Sequence, residues 1–297
     1  MKWKDSFHPY ALITVIFWSL SYVLTRLALE YFSPFSIGFL RYFFASLALV
    51  IVAVSTKMKL PHKSDLVWFI AAGALGFFLY MITFNMGLTT VTASTSSVVI
   101  ATVPVMTALF ALFFYKETLR SFQWIAILIE FIGVVVLTLM NGAFSINIGL
   151  FWLFGAALSL SLYNLVQRKL TKAYTALQAS TFSIFFGTLM LTLFLPGTLR
   201  EMPSAPVMPY IHIAIMGICS SAAAYVAWAK AFSKAKQTSQ VSNYMFLTPF
   251  LTTLLGFLMA GEVPDRATVL GGGIILLGVL VFNFGGKLCR SGSHNEQ

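Results

Sequence analysis

The chain has 297 residues, of which 59% are hydrophobic and 9% charged, with a mean hydropathy of +0.87. That excludes an ordinary soluble domain, in which about a quarter of residues are charged. The formal charge of +10 would suggest nucleic acid in a soluble protein, but here the basic residues sit in the turns between apolar runs, and no nucleic acid is expected.

A helix needs about 20 apolar residues to cross a hydrocarbon core. Ten such runs follow one another, at approximately 9–29, 34–54, 66–86, 93–115, 122–140, 148–167, 176–196, 209–231, 241–260 and 267–286. The first has a basic flank, but it is too long for a signal-peptide core and lacks a small-x-small cleavage site. It reads as a retained span. Of the 19 basic residues, 15 fall on one side of the resulting zigzag. They are Lys2 and Lys4, then Lys57, Lys59 and Lys63, then Lys116 and Arg120, then Arg168, Lys169 and Lys172, then Lys230, Lys234 and Lys236, and finally Lys287 and Arg290. The alternate loops hold Arg200 and Arg266, while Arg26 and Arg41 lie inside spans. The positive-inside rule places both termini in the cytoplasm. The longest loop, 197–208, holds Pro203 and Pro206 and leaves no room for a soluble domain. Cys219 falls in a span and Cys289 near the C-terminal tail, so they do not pair.

The second half repeats the first. With a shift of 145 residues, SVVIATVPVMTALFALFFYKETL (97–119) lies on SNYMFLTPFLTTLLGFLMAGEVP (242–264). Ser97 then meets Ser242, Pro104 meets Pro249, Thr107 meets Thr252 and Glu117 meets Glu262. Gly133 meets Gly278, Val134 meets Val279 and Tyr80 meets Tyr225. Each half holds an odd number of spans, five, so the halves enter the membrane from opposite sides. The expected fold is all-α and integral to the membrane: ten transmembrane helices as two inverted five-helix repeats, 1–145 and 146–290, with a cytoplasmic tail at 291–297. Antiparallel units of this kind can exchange conformations and expose a pocket at their interface to each side in turn. A duplication that merely builds a stable bundle is the alternative. Pro104 and Pro249 lie near the middles of the fourth and ninth runs. Each removes a backbone N–H, marking a hinge beside the pocket or a static packing kink. Thr102 and Thr248 are near enough to take up a freed carbonyl.

On these residues the chain resembles the drug/metabolite transporter superfamily, in its EamA-type branch. The signature occurs twice: ASTSSVVIATVPVMTALFALFFYKETL followed by GVVVL, and the 240–282 stretch ending GGGIILLGVLVF. VIFWSLSYVLTRLAL is similar to the family's opening Trp-Gly-Ser helix, keeping Trp18 and carrying Ser19 for the usual Gly. FLRYFFASLAL matches the second helix, with Arg41 in the family's Arg position. The resemblance implies a ten-helix transporter of the bacterial inner membrane, with a central cavity lined by helices one to four and six to nine and with helices five and ten at the periphery. Members of the family move amino acids, other metabolites, toxic compounds, nucleotide sugars or sugar phosphates, and bacterial members are often exporters.

Ionisable groups inside a membrane are costly and are functional candidates. Arg41 lies roughly 10 Å into its span. It can clamp a substrate carboxylate, although its family-wide occurrence favours a structural or gating partner. Glu130, near the bilayer centre, has Ile275 as its repeat counterpart. It is a proton-coupling candidate, or else a neutral carboxyl bonded to a neighbouring helix. The pocket candidates share helix faces. Trp18, Tyr22 and Thr25 lie on the first helix, and Tyr80 and Phe84 on the third. Ser97 lies on the fourth, Ser159, Tyr163 and Asn164 on the sixth, and Ser221, Tyr225 and Trp228 on the eighth. Asn243 and Tyr244 open the ninth. Aromatic walls with a few amides and hydroxyls suit an amphipathic organic solute. They offer no cage for a metal, and each ring taken singly is equally a packing residue. Trp68 and Trp124 read as interface anchors, Lys230 as snorkelling, Asp65 as a helix cap, and Gly271, Gly272 and Gly273 as a site of close helix approach. No phosphate loop, HExxH or Ser/His/Asp set appears in the sequence, so neither an enzyme nor a cofactor is expected. The expectation is a secondary transporter of small organic solutes such as amino acids or related metabolites and drugs, an exporter working by alternating access. Import or exchange of an anionic metabolite is the alternative. The expected partners are the substrate and membrane lipid, with the protein a monomer or homodimer.

Overall fold

The structure is a computed structural model that describes residues 6–116, 118–140, 147–235 and 238–292. Glu117, Lys2, Lys4, Lys236 and His294 lie outside the described residues, as do the side chains of Val134, Asn243, Val279, Lys287, Cys289 and Arg290.

Every regular element among the described residues is helical. Local chemistry sets the starts. Helix α1 (His8–Ala28) has a proline in its first turn. Helix α2 (Pro34–Ser55) combines Pro34 with a Ser33 cap whose hydroxyl accepts from Ser36 N. The third run is α3 (Leu66–Gly73), a π-helical turn (Ala74–Leu79) and α4 (Tyr80–Leu88). The fourth is α5 (Ala93–Ile100), capped by Thr92, and α6 (Val103–Tyr115). Helices α7 (Ser121–Met140) and α8 (Ile148–Ala173) follow, the latter capped by Asn147. Helix α9 (Ala176–Leu191) opens on a Thr175–Gln178 capping box. It runs through a short 3₁₀ turn into α10 (Leu195–Glu201) and a second 3₁₀ turn, so the proline-bearing stretch read as the longest loop is largely helical. Pro196 and Pro203 fall at first-turn positions, where no N–H is needed, and Pro206 is the cap residue before α11. Then come α11 (Val207–Ile215), a second π-helical turn (Met216–Ala223) and α12 (Ala224–Lys234). After α13 (Thr238–Ser242) and a 3₁₀ turn (Asn243–Leu247), α14 (Thr248–Ala260) and α15 (Arg266–Gly292) complete the chain.

Among the described residues, seven helical runs are long and apolar enough to cross a membrane, and Ser121–Gly133, Thr248–Ala260 and Arg266–Phe282 are shorter apolar helices. The outer surface carries exposed Ile51, Val54, Phe113, Phe131 and Leu258. So apolar an exterior, over helices that satisfy their own backbone, suits lipid and not water.

The core interlocks early and late elements. Helix α1 packs against α12 and α14, and α8 packs against α4, α5 and α6. Helices α7 and α15 pair with each other at the side. Glycine sets the approach of that pair. A Cβ on Gly133 would lie 2.7 Å from Ile275, and one on Gly278 would lie 2.5 Å from Glu130 Cγ. The shift of 145 residues carries Gly133 onto Gly278 and Glu130 onto Ile275, so the two contacts exchange and the pair is reciprocal. Of the three consecutive glycines in α15, Gly271 and Gly272 lie at close helix contacts, and Gly273 faces open space.

Other features recur at or near the same spacing. Pro104 and Pro249 each open a new helical segment, α6 and α14. Those two helices end on left-handed residues, Lys116 (φ 52°) and Gly261 (φ 64°). The two π turns precede Tyr80 and Tyr225. Thr102 Oγ1 donates to Val99 O at 2.7 Å, and Thr248 Oγ1 has no partner among the described residues. Neither hydroxyl serves the carbonyl freed by its proline. Asp65 does not cap α3 through its side chain, because its own backbone is already helical; its carboxylate accepts from Tyr174 Oη at 2.5 Å.

Candidate functional site

The centre of the bundle is an aromatic cluster threaded with polar groups. On α1, Trp18 lies one turn from Tyr22. The Trp18 ring is 5.0 Å from Tyr225 and 4.9 Å from Trp228, both on α12. Tyr22 meets Phe84 edge-on at 4.9 Å, and Phe84 stacks on Tyr80 at 5.4 Å. Phe77, in the first π turn, contacts Tyr42, Tyr163 and Tyr225 at 5.3, 5.2 and 4.8 Å. All these rings are buried.

The π turns shape this centre. A widened turn shifts the register of the residues after it and recurs at functional sites. Gly76, inside the first, seats the Tyr163 ring, and a Cβ there would fall 2.4 Å from it. The second accepts Trp18 Nε1 on the Ser220 carbonyl at 3.1 Å. It also presents Ser221 Oγ, which accepts from Arg41 Nε at 2.7 Å. Asn164 is held between Trp228 Nε1, which donates to its Oδ1 at 3.2 Å, and Thr107 Oγ1, which accepts from its Nδ2 at 3.3 Å.

Arg41 is only 2% exposed. Its Nη1 lies 4.0 Å from Met81 Sδ, and its guanidinium carbon 5.8 Å from the Tyr42 ring. No carboxylate pairs with it; among the described residues the only ion pair is Arg26–Glu262, at 3.2 Å. The Tyr163 hydroxyl is buried without a partner among the described residues, and the Tyr42 hydroxyl is buried beside those of Ser221 and Tyr225 without a well-formed hydrogen bond.

The structure therefore brings together Trp18, Tyr22, Arg41, Tyr80, Phe84, Tyr163, Asn164, Tyr225 and Trp228. Ser97 lies buried in α5, where its hydroxyl donates to Ser94 O at 2.6 Å. Tyr244 stands apart, hydrogen-bonded to His8 and packed on Phe7. The side chain of Asn243 is outside the described residues. Glu130 is buried between α7 and α15, with both carboxyl oxygens unpartnered among the described residues. Trp68 carries Lys169 Nζ 3.3 Å from its ring centroid, and Trp124 is exposed. Three participants were missed by the sequence reading: Tyr42, Phe77 and Met81. Phe77 lies three residues before Tyr80, so helical spacing was the available signal. Nothing in the spacing singles out Tyr42 or Met81.

On the face opposite the basic turns, Arg26 Nε donates to Glu262 Oε1 while Arg26 Nη1 donates to Leu88 O at 2.7 Å. Glu262 Oε2 accepts from Ala93 N at 3.0 Å. One ion pair thus ties α1, the end of α4, the start of α5 and the turn after α14 beneath a recess of about 520 Å³. Chemically, the centre offers ring faces for an apolar or cationic group, one amide, free hydroxyls and a desolvated guanidinium.

Relatives agree with a transporter. The model of the EamA-like transporter family matches residues 7–139 and again 147–284. The "Uncharacterized transporter YdfC" of Bacillus subtilis is 31% identical over 90% of this chain and 87% of its own. A "Probable terminal-alkyne amino-acid exporter" of Streptantibioticus cattleyicolor is 26% identical over 91% of each chain. An "S-adenosylmethionine uptake transporter" of Rickettsia prowazekii is 25% identical over 96% of this chain and 95% of its own. A crystal structure 17% identical superposes with a TM-score of 0.61, covering 91% of this chain and 94% of that one, and so shares the fold. With the family model matched twice along nearly its whole length, this multi-pass membrane protein belongs to the EamA-like transporter family.

Proposed function

We propose that the protein is a secondary transporter of small organic solutes, an exporter of amino acids or related compounds, working by alternating access. Ten helices span the membrane as two inverted five-helix repeats, 1–145 and 146–290. The two family-model matches, the reciprocal α7–α15 contacts and the paired proline breaks and π turns support that division. The basic turns face the cytoplasm, with both termini, and the membrane is the bacterial inner membrane.

The observation that carries the reading is the shared authorship of the centre. Trp18, Tyr22, Arg41 and Tyr80 come from one half, and Tyr163, Asn164, Tyr225 and Trp228 from the other. A site built across two units opens to whichever side the units part. In this reading the Arg26–Glu262 pair lies on the external side and joins the two halves there, and the rings of the centre are in contact. Pro104 and Pro249 act as the hinges in this reading, supported by the new helical segment that each one opens. The solutes in the names of the two substrate-named relatives, an amino acid and S-adenosylmethionine, share an amino-acid carboxylate.

The test is counterflow of aromatic and aliphatic amino acids into liposomes holding the purified protein, with and without a pH gradient. Saturable counterflow is expected. Unsaturable flux would make it a channel, and no flux of any solute would remove the reading. The second reading is import or exchange of an anionic metabolite. The lack of an ion-pair partner for Arg41 among the described residues favours an anion, and the uptake named for the Rickettsia relative favours the inward direction alone.

A further inference from the structure

We infer that the central site selects solutes by a carboxylate, which docks on the free edge of the Arg41 guanidinium beside the Tyr42 hydroxyl. The inference rests on the reading of the centre as a transport site.

An arginine stays protonated at any relevant pH, so burial does not neutralise it. A buried cation therefore requires an anion or a full set of acceptors. Arg41 has neither. Of its five N–H groups, Nε is taken by Ser221, Nη1 has only a thioether at 4.0 Å, and Nη2 has no acceptor among the described residues. The described acids are engaged or distant. Asp65 is bonded to Tyr174, Glu201 to Ser33 N, Glu262 to Arg26 and Ala93 N, and Asp265 to Thr268 N. Glu30 lines the recess on the opposite face, and Glu130 lies in the α7–α15 seam. Beside the guanidinium, the Tyr42 hydroxyl is a buried donor that faces the Ser221 and Tyr225 hydroxyls without a well-formed hydrogen bond among the described residues. One carboxylate would satisfy both, taking paired N–H donors on one oxygen edge and the phenol on the other.

The same bookkeeping restricts the rest of the solute. The cluster contains no acidic side chain among the described residues, so an ammonium group finds only ring faces there, a weaker attraction than an ion pair. The apolar body lies against Trp18, Tyr22 and Tyr225. The class is then an amphipathic carboxylate, zwitterionic or anionic, and excludes simple organic cations.

Three probes sharing one ring decide it on the full-length protein in detergent: phenylacetate, 2-phenylethanol and phenethylammonium, titrated by calorimetry. Phenylacetate should bind about a hundredfold tighter than either of the others, the order expected of a desolvated charge pair. Chloride should not displace it. In Arg41→Gln the preference should fall to about threefold or less, and Arg41→Lys, which keeps the charge, should retain part of it. Should Arg41→Gln fail to fold, Tyr42→Phe serves: it should weaken phenylacetate several-fold and leave 2-phenylethanol unchanged. Equal or tighter binding of phenethylammonium overturns the inference, as does an anion preference that survives in Arg41→Gln. Full displacement by chloride reassigns the site to inorganic anions. Carboxylate binding without counterflow would sink the transport reading and leave the anchor. Counterflow without any carboxylate preference would do the reverse.

Discussion

The central cluster and the α7–α15 seam are both helix interfaces closed by glycine, yet they differ in what the glycine admits. At the centre, Gly76 makes room for a tyrosine ring from the other half, amid hydroxyls, an amide and a guanidinium. In the seam, Gly133 and Gly278 bring two backbones together with one unpartnered carboxyl, Glu130, beside them. The first is a polar cluster assembled from many helices. The second is a two-helix contact made twice, by residues that match under the 145-residue shift. Close approach is therefore shared by scaffold and site, and the polar inventory distinguishes them.

The sharpest way to break that contrast is Trp228→Ala. It removes a buried indole that packs on Trp18 and Phe232 and holds Asn164. It should cost about 3–5 kcal/mol, read as a lower Tm in detergent, and should abolish counterflow. Next, Gly76→Ala and Gly278→Ala each force a Cβ into contact and should each cost about 1–3 kcal/mol. Only Gly76→Ala should reduce counterflow in the protein that survives extraction; equal losses in both variants would erase the distinction between site and seam. Replacing Glu130 with Met keeps an unbranched chain against Gly278 and deletes two unpartnered oxygens. It should stabilise by about 1–2 kcal/mol. Loss of pH-driven counterflow in Glu130→Gln would instead assign this carboxyl the transported proton. Smallest is the contact at the basic face. The Asp65 carboxylate accepting from Tyr174, and then partial desolvation, hold the phenol above its ordinary range. A raised phenol contributes stability that is complete below its unfolded pKa, about 10, and that is lost as pH climbs through the folded value. In Tyr174→Phe the alkaline fall in Tm should be shallower.

Much of this was legible in the chain. Helical spacing placed Trp18 with Tyr22 and Tyr225 with Trp228, because a helix repeats its face every three to four residues. The proline pair announced two broken runs, since proline deletes one backbone donor wherever it stands. The π turns were not legible, because a widened turn depends on what packs against it and leaves no fixed residue pattern. For the same reason nothing in the sequence brought Met81 to Arg41 or put its chain neighbour Tyr42 into the aromatic cluster, since these surroundings come from α2, the third run and the second π turn together. Tyr244 has the right residue type, but it packs on the start of α1.

By itself the sequence determined that this chain lives in lipid, where its helices break and which segments resemble one another. Those properties follow from local hydrophobicity, backbone donors and spacing. Only the tertiary structure decided that Arg41 has no counter-charge among the described residues, that Glu262 is taken by Arg26 and that Glu130 lies in the seam. Charge compensation depends on distances between residues far apart in the chain, and those distances exist only once the helices have packed.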